Sequence, residues 1–322
     1  FTEFRPDRII TQAPFPRITY ADAMLKYGSD KPDLRNPLVI VDLGSIFADT
    51  AFRAFSGKTV RAIRLPQTAG NSRSFWDRLE EQAKSLGAAG LAWLSVEADG
   101  SLKGPIAKFL TPETEQALGL AEGELALFVA AADRISNPAL DRVRQECASR
   151  LGLASPDDRR FLIVTDFPMF EQDPATGALG AVHHPFTSPN ASDMAAYPDA
   201  PHRWRATAYD VVLNGLELGG GSIRTHDPAV QSRMFELLGI GDAEEQERRF
   251  GFLLEGLRAG APPHGGIAFG FDRITMLLAG ASSLRDVIAF PKTTTARSLF
   301  EGAPTQVPAE GLAELHIHVE ER

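Results

Sequence analysis

One cysteine in 322 residues leaves no partner for an intrachain disulfide and too few thiolates for a zinc cluster. That residue, Cys147, falls in the spacing Leu140, Val143, Cys147, Leu151. This is the buried stripe of a helix, so an inert packed thiol is expected. No apolar run approaches the roughly 20 residues that a membrane span needs. The first residues, Phe1 to Ile10, carry charges throughout and lack the apolar centre of a signal peptide. Positive charge is also short: 33 Lys and Arg stand against 42 Asp and Glu, a net charge of −9. Taken alone, this argues against a nucleic-acid partner, although an acidic protein can still carry a local basic face. No repeat or low-complexity segment is present. What is present is 43% hydrophobic residues over enough length for two ordinary domains. That composition suits a globular cytoplasmic enzyme with a sizeable core.

Three stretches differ in pattern. Residues 1–37 are rich in proline and charge, with one helical pattern at Ala21 to Lys26 and a turn-rich run from Tyr27 to Asp33. Residues 38–157 alternate strands and helices. Val60 to Leu65 alternates with period two, as a half-buried strand does. Ser74 is placed to cap a helix with the stripe Phe75, Leu79, Ala83 and Leu86, and Gly90 to Val96 and Glu124 to Ala131 read as further strands. This stretch reads as a self-contained α/β unit. Residues 158–322 are strand-rich. Phe161 to Phe167, Ala208 to Glu217, Gly266 to Phe271 and Glu314 to Glu320 are the clearest strand candidates, and helices are expected over 228–238, 243–259 and 273–278. Clustered strands favour an antiparallel sheet in an α+β domain.

Two runs carry chemistry. In Tyr209 to Arg224, Asp210 and Glu217 lie seven residues apart, which strict alternation puts on opposite faces. A bulge near Asn214-Gly215 would bring them together, and two carboxylates so placed suit Mg²⁺. Gly219, Gly220 and Gly221 are costly inside a strand unless something approaches the backbone closely. Arg224 is a fixed cation able to bind a carboxylate through two hydrogen bonds. Read alone, the run fits equally a glycine-rich hairpin with surface charges. In the second run, Gly266 to Leu278, a strand leads straight into an apolar helix, with Arg273 near the helix start where phosphate is favoured. Read alone, that run fits a strand-to-helix corner with one salt-bridged arginine. His316 and His318 alternate with apolar residues, as on the outer face of a strand, and have no further ligands for a metal.

Together these runs resemble bacterial-type aspartyl-tRNA synthetases of class II. The second run is similar to the family's third signature motif and the first to the strand preceding it. Further matches are Tyr27 to Pro37, Asp166 to Glu171, His183 to Pro189 and Arg285 to Lys292, in the family's order. The resemblance implies an α+β fold: a class II antiparallel sheet with flanking helices and an inserted α/β GAD-like domain. Its domains would be a catalytic segment at 1–37, the insertion at 38–157, and the rest of the catalytic domain with the third motif at 158–322.

The resemblance also implies ATP-dependent activation of L-aspartate and its ligation to aspartate tRNA. It implies ATP and Mg²⁺ as cofactors, a homodimer in the full-length protein, and no membrane. Position by position, His183 and Arg224 would bind aspartate. Glu217, Gly270, Phe271, Asp272 and Arg273 would bind ATP, and Asp210 with Glu217 would hold Mg²⁺. The family's first and second motifs and its anticodon-binding barrel find no match in this sequence. The chain is therefore expected to be a fragment, inactive alone. The alternative is a synthetase-derived binding protein without catalysis.

Overall fold

The computed structural model describes residues 1–66 and 73–320. Packing divides them into two units. One runs from Pro6 to Phe269 and includes Thr2; the other runs onward from Gly270 and includes Phe1 and Glu3–Arg5.

The larger unit begins with β1 (Ile9–Ile10), β2 (Arg17–Thr19) and α1 (Tyr20–Tyr27). α1 starts where the Thr19 hydroxyl accepts the Asp22 amide at 3.0 Å, and it stops at Gly28, whose φ of +73° suits glycine. The chain then forms β3 (Ile40–Asp42), β4 (Val60–Leu65), α2 (Arg73–Ser85), β5 (Ala92–Val96), β6 (Leu102–Lys103), α3 (Pro112–Leu118), β7 (Leu125–Ala130) and α4 (Asp133–Arg150). Its five strands make one sheet in the order β3-β4-β7-β5-β6, antiparallel throughout.

That sheet is covered on both faces. Ile63, Leu65 and Leu127 pack with Leu79, Ala83, Leu140, Val143 and Cys147 from α2 and α4. Val60, Ala62, Ala126 and Phe128 pack on the other side with Leu43, Phe47, Phe55 and Ile106. β4 is therefore buried on both sides rather than half-buried. Its alternating arginines made it look amphipathic, but each finds local partners. Arg61 bonds Asn137 and Asp133 at the start of α4, and Arg64 bonds the Leu118 carbonyl. The apolar stripe expected for α2 holds through Phe75, Leu79 and Ala83, whereas Leu86 lies past its end and is 40% exposed. The Ser74 side chain lies outside the described residues. Cys147 is fully buried, and burial pushes its thiol up to about 12.

The chain returns as β8 (Asp158–Arg159), parallel to β1, and β9 (Phe161–Thr165), parallel to β2. β10 (Phe170–Gln172) and β11 (Leu179–Ala181) form a separate small hairpin. After α5 (Ala191–Ala196) come β12 (Ala208–Leu213), β13 (Leu216–Ile223), α6 (Pro228–Leu237), α7 (Ala243–Arg258) and β14 (Gly265–Phe269). Asp227 and Asp242 cap α6 and α7 with their carboxylates. The second five-stranded sheet runs β14-β13-β12-β9-β2, antiparallel except for the β9–β2 pair. Strands from before residue 37 and after residue 160 thus share one sheet, and the intervening strands form the other.

The smaller unit holds α8 (Phe271–Ala279), a turn capped reciprocally by Ser283 and Asp286, and α9 (Ala309–Glu314). The strand expected over Glu314 to Glu320 is not formed. Glu314 closes α9, whose Ala and Glu residues favour helix, and His316 follows at φ +54°. Residues 315–320 pair with no strand among the described residues, so His316 and His318 share no strand face.

Arg144 of α4 is the largest fully buried side chain. It donates to Asp141 Oδ1 at 3.0 Å and to the Leu38 carbonyl at 3.4 Å, and it lies 5.3 Å from the Tyr27 ring. Asn36 donates to the Arg144 carbonyl and accepts the Leu38 amide, so residues 36–38 are tied to α4. Arg144→Leu should destabilise the protein by about 3 kcal/mol, because it leaves the half-buried Asp141 carboxylate and the buried Leu38 carbonyl without their donor. A urea titration of both proteins measures the difference.

Candidate functional site

The β12–β13 hairpin reverses at Asn214 (φ +52°) and Gly215 (φ +84°), the left-handed pair of a tight turn. Its tip is anchored. Asn214 Oδ1 accepts the Arg160 amide and Nδ2 donates to the Asp158 carbonyl, both at 2.8 Å. The single strand expected over Ala208 to Glu217 is thus two strands and a turn, and the Asn-Gly dipeptide was the signal for it. The bulge lies deeper. Val211 faces Gly219 and Val212 faces Glu217, so Leu218 is the extra residue. It shifts the alternation of β13 by one place. Glu217 then falls on the same face as Asp210, which pairs with Gly220.

These carboxylates open into a cleft of about 510 Å³, lined also by Tyr20, Asp30, Phe167, His183, His184 and Arg224. A larger hollow of about 830 Å³ lies between α1 and α4. The smaller cleft is the candidate site, because titratable groups from four separate chain segments converge there. Burial raises the Asp210 carboxyl to about 6, helped by Glu217 and Asp30 and opposed by Lys31. Lys31 itself pairs with Asp30 at 2.9 Å. His183 has an open surface, yet the protein crowding its ring holds it below the ordinary imidazole value, against the pull of Glu217 and Asp30. His184 is also lowered, by burial and by Arg224, and its Nδ1 accepts the Phe186 amide at 3.2 Å.

Arg224 directly follows β13, and its backbone amide donates to the His264 carbonyl at 2.9 Å. Its guanidinium makes no hydrogen bond or ion pair with any described residue. The side chain is only partly buried.

The three glycines have two different reasons. A Cβ on Gly220 would stand 2.5 Å from Asp210 Oδ1 and 3.4 Å from Glu217 Oε1. Gly220 therefore keeps open the space where the acids meet. A Cβ on Gly219 would meet the Ala268 carbonyl at 2.7 Å, and one on Gly221 would overlap the Gly266 carbonyl. Those two positions serve the close approach of β14 rather than of a ligand.

The structure thus brings His183, Asp210, Glu217 and Arg224 into one cleft wall. Gly270, Phe271, Asp272 and Arg273 belong to the smaller unit, at the start of α8, where Gly270 precedes the first turn and Phe271 is 77% exposed. Sequence reasoning gave no role to Tyr20, Asp30 or Phe167. Asp30 stood out only within the turn-rich run and family match from Tyr27, Phe167 only within the match Asp166 to Glu171, and Tyr20 precedes the helical pattern Ala21 to Lys26. No group of three or more acidic, histidine or cysteine side chains that could hold a metal occurs among the described residues.

The family model for class II tRNA synthetases (D, K and N) matches residues 3–294. An aspartate–tRNA(Asp/Asn) ligase of Desulfatibacillum aliphaticivorans is 46% identical over 96% of this chain and 53% of its own length. One of Bacillus subtilis is 47% identical over 97% of this chain and 54% of its own. An aspartate–tRNA ligase of Streptomyces coelicolor is 46% identical over 99% and 55%. The chain spans about half the length of the curated relatives it matches. Among solved structures, an aspartyl tRNA synthetase of Entamoeba histolytica aligns with 78% of this chain and 46% of its own at 19% identity. Its TM-score of 0.34 is too low to argue from.

Gly221→Ala should lower stability by about 1–3 kcal/mol, because the added methyl must push β13 and β14 apart. Gly180→Ala, where the nearest side-chain atoms lie at 3.5 Å, is the control and should change little. Paired urea unfolding curves decide.

Proposed function

Since the chain belongs to the class II tRNA synthetase family, we propose that it carries part of the site that activates L-aspartate with ATP for transfer to tRNA. In that reaction the aspartate α-carboxylate attacks the α-phosphorus of ATP. An aspartyl-adenylate forms and pyrophosphate leaves. A terminal hydroxyl of the tRNA then takes the aspartyl group and releases AMP. The attacking carboxylate is ionised at neutral pH, so no side chain has to remove a proton from it. Positioning and charge neutralisation are what the protein must supply.

The observation that carries this reading is Arg224, a cation in the cleft wall with no described partner of its own. It would meet the substrate's side-chain carboxylate through two parallel hydrogen bonds. His183, held by burial below the ordinary imidazole value, would lie beside the bound amino acid as a hydrogen-bonding group. Asp210 and Glu217 converge over a glycine that leaves them room, and their hard oxygen donors fit Mg²⁺. When bound there, the ion would supply charge neutralisation to the phosphates, and the two carboxylates would fix its place. Gly270, Phe271, Asp272 and Arg273 are assigned to ATP, with Arg273 and the first amides of α8 toward phosphate.

In this reading residues 38–157 are an inserted GAD-like domain, and residues 1–37 and 158–322 are catalytic segments. Its support is that β2 pairs with β9 across the insertion while β3 to β7 form a sheet of their own. The reading implies a tRNA partner, a second copy of the full-length protein, and a cytoplasmic setting. No described helix is long and apolar enough to cross a membrane. Relatives named for aspartate tRNA alone and for both aspartate and asparagine tRNA lie at the same identity, so the proposal stops at aspartate charging.

Arg224→Leu in the full-length protein should lower kcat/KM for aspartate by roughly a thousandfold, the size expected when a charge loses its two-bonded partner. The melting temperature should hardly change, because the side chain has no described partner to strand. Near-normal aspartate-dependent pyrophosphate exchange in that variant would overturn the assignment. The 322-residue chain alone should show no such exchange, since none of its residues is identifiable as the clamp on the α-phosphate. Clear exchange by the chain would show that these residues suffice.

A further inference from the structure

Asp166 has φ +58°, a left-handed conformation that few residues other than glycine adopt. It follows β9 directly. In β9, Leu162 and Val164 point to the face that carries Asp210, because Val164 pairs with Asp210 and Leu162 with Val212. Continued alternation would send Phe167 to the opposite face, with Ile163 and Thr165. Phe167 instead packs with Leu162, Val164 and Val212. The left-handed turn at Asp166 makes that exchange of faces.

Several bonds hold the turn. Thr165 Oγ1 donates to Asp166 Oδ2 at 2.8 Å, and Arg205 Nη1 lies 3.5 Å from Oδ1. Arg205 is fixed in its turn. Its Nε and Nη2 donate to the two oxygens of buried Asp193, each at 2.8 Å, and its backbone amide donates to the same carboxylate at 2.9 Å. The Phe167 carbonyl accepts the Ala206 amide at 2.7 Å. The Phe167 ring, 2% exposed, meets the His183 ring at 4.5 Å with the planes at 89°. Both rings line the cleft.

We propose that Asp166 is a positioning residue: its left-handed backbone, held by Thr165 and by the Arg205–Asp193 pair, turns Phe167 into the cleft and so sets the plane of His183. Asp166 itself does not line the cleft. Strained conformations of this kind persist where the surroundings over-determine them, and here every restraint converges on one aromatic ring. That this plane orients L-aspartate rests on the reading of the cleft given above.

Three substitutions in the full-length protein separate the parts. Asp166→Asn keeps both the left-handed preference and an acceptor. Asp166→Gly keeps only the backbone freedom, and Asp166→Ala keeps neither. Two quantities are read: KM for L-aspartate against KM for ATP in pyrophosphate exchange, and the ring-proton NMR resonance of His183, identified by its loss in His183→Gln. Asp166→Ala should raise KM for aspartate on the order of tenfold, leave KM for ATP unchanged, and shift the His183 resonance away from its position beside the Phe167 ring. Asp166→Asn should restore both quantities, and Asp166→Gly should restore the resonance. If Asp166→Ala does not fold, the Asn and Gly variants carry the test, and a displaced His183 resonance in both overturns the proposal. An Asp166→Ala protein that raises both KM values alike, or leaves the His183 resonance in place, also overturns it. If the unsubstituted protein shows no aspartate-dependent exchange, the aspartate reading fails. The resonance then still decides whether Asp166 positions His183.

Discussion

The register between β12 and β13 is the constraint on which the cleft depends. One extra residue, Leu218, moves Glu217 across the sheet to join Asp210. A regular ladder with the same side chains would put the two acids on opposite faces. The turn at Asn214-Gly215 fixes where the ladder starts, and its anchoring to Asp158 and Arg160 fixes where the hairpin lies on β9. Gly220 then leaves the space in which both carboxylates stand. The electrostatics follow from that placement. Asp210 is raised because it is buried beside another acid.

The rest of the larger unit supports that hairpin through contacts distant in sequence. Parallel pairing of β2 with β9 joins residues near the start of the chain to residues beyond 160. It brings α1, and with it Tyr20, to the cleft. Between these partners the chain builds a second sheet with a core on each face. Residues 36–38, where the chain enters that sheet, are held by Asn36 and by a buried arginine rather than by apolar packing alone. A fully buried cation is costly unless its bonds are well placed, so that junction has little freedom to rearrange.

Local periodicity was enough to read α1, α4, α6, α7 and β7 from the amino acids, because each repeats its apolar residues over several turns or pleats. The same logic misjudged β4, whose arginines suggested a wet face but bond to α4 and to the end of α3. It failed outright at Glu314 to Glu320, where the alternation is real but no strand among the described residues supplies a ladder. In the site, Asp210, Glu217, His183 and Arg224 were legible as a set because the family resemblance grouped them. Tyr20 and Phe167 were not, since an aromatic at a helix start or strand end looks the same whether or not it faces a ligand. Their role depends on a parallel strand pair and a left-handed residue, and neither leaves a strong local pattern.

Cys147 has a practical consequence for anyone who wishes to watch this molecule move. The only thiol of the chain is sealed between helices and a sheet and is protonated over the whole working pH range. A cysteine introduced at the hairpin tip or beside the cleft would therefore be the sole nucleophilic sulfur reachable by a maleimide dye or a spin label. The 322-residue chain already serves as the background for single-site spectroscopy, with no core residue to be replaced first.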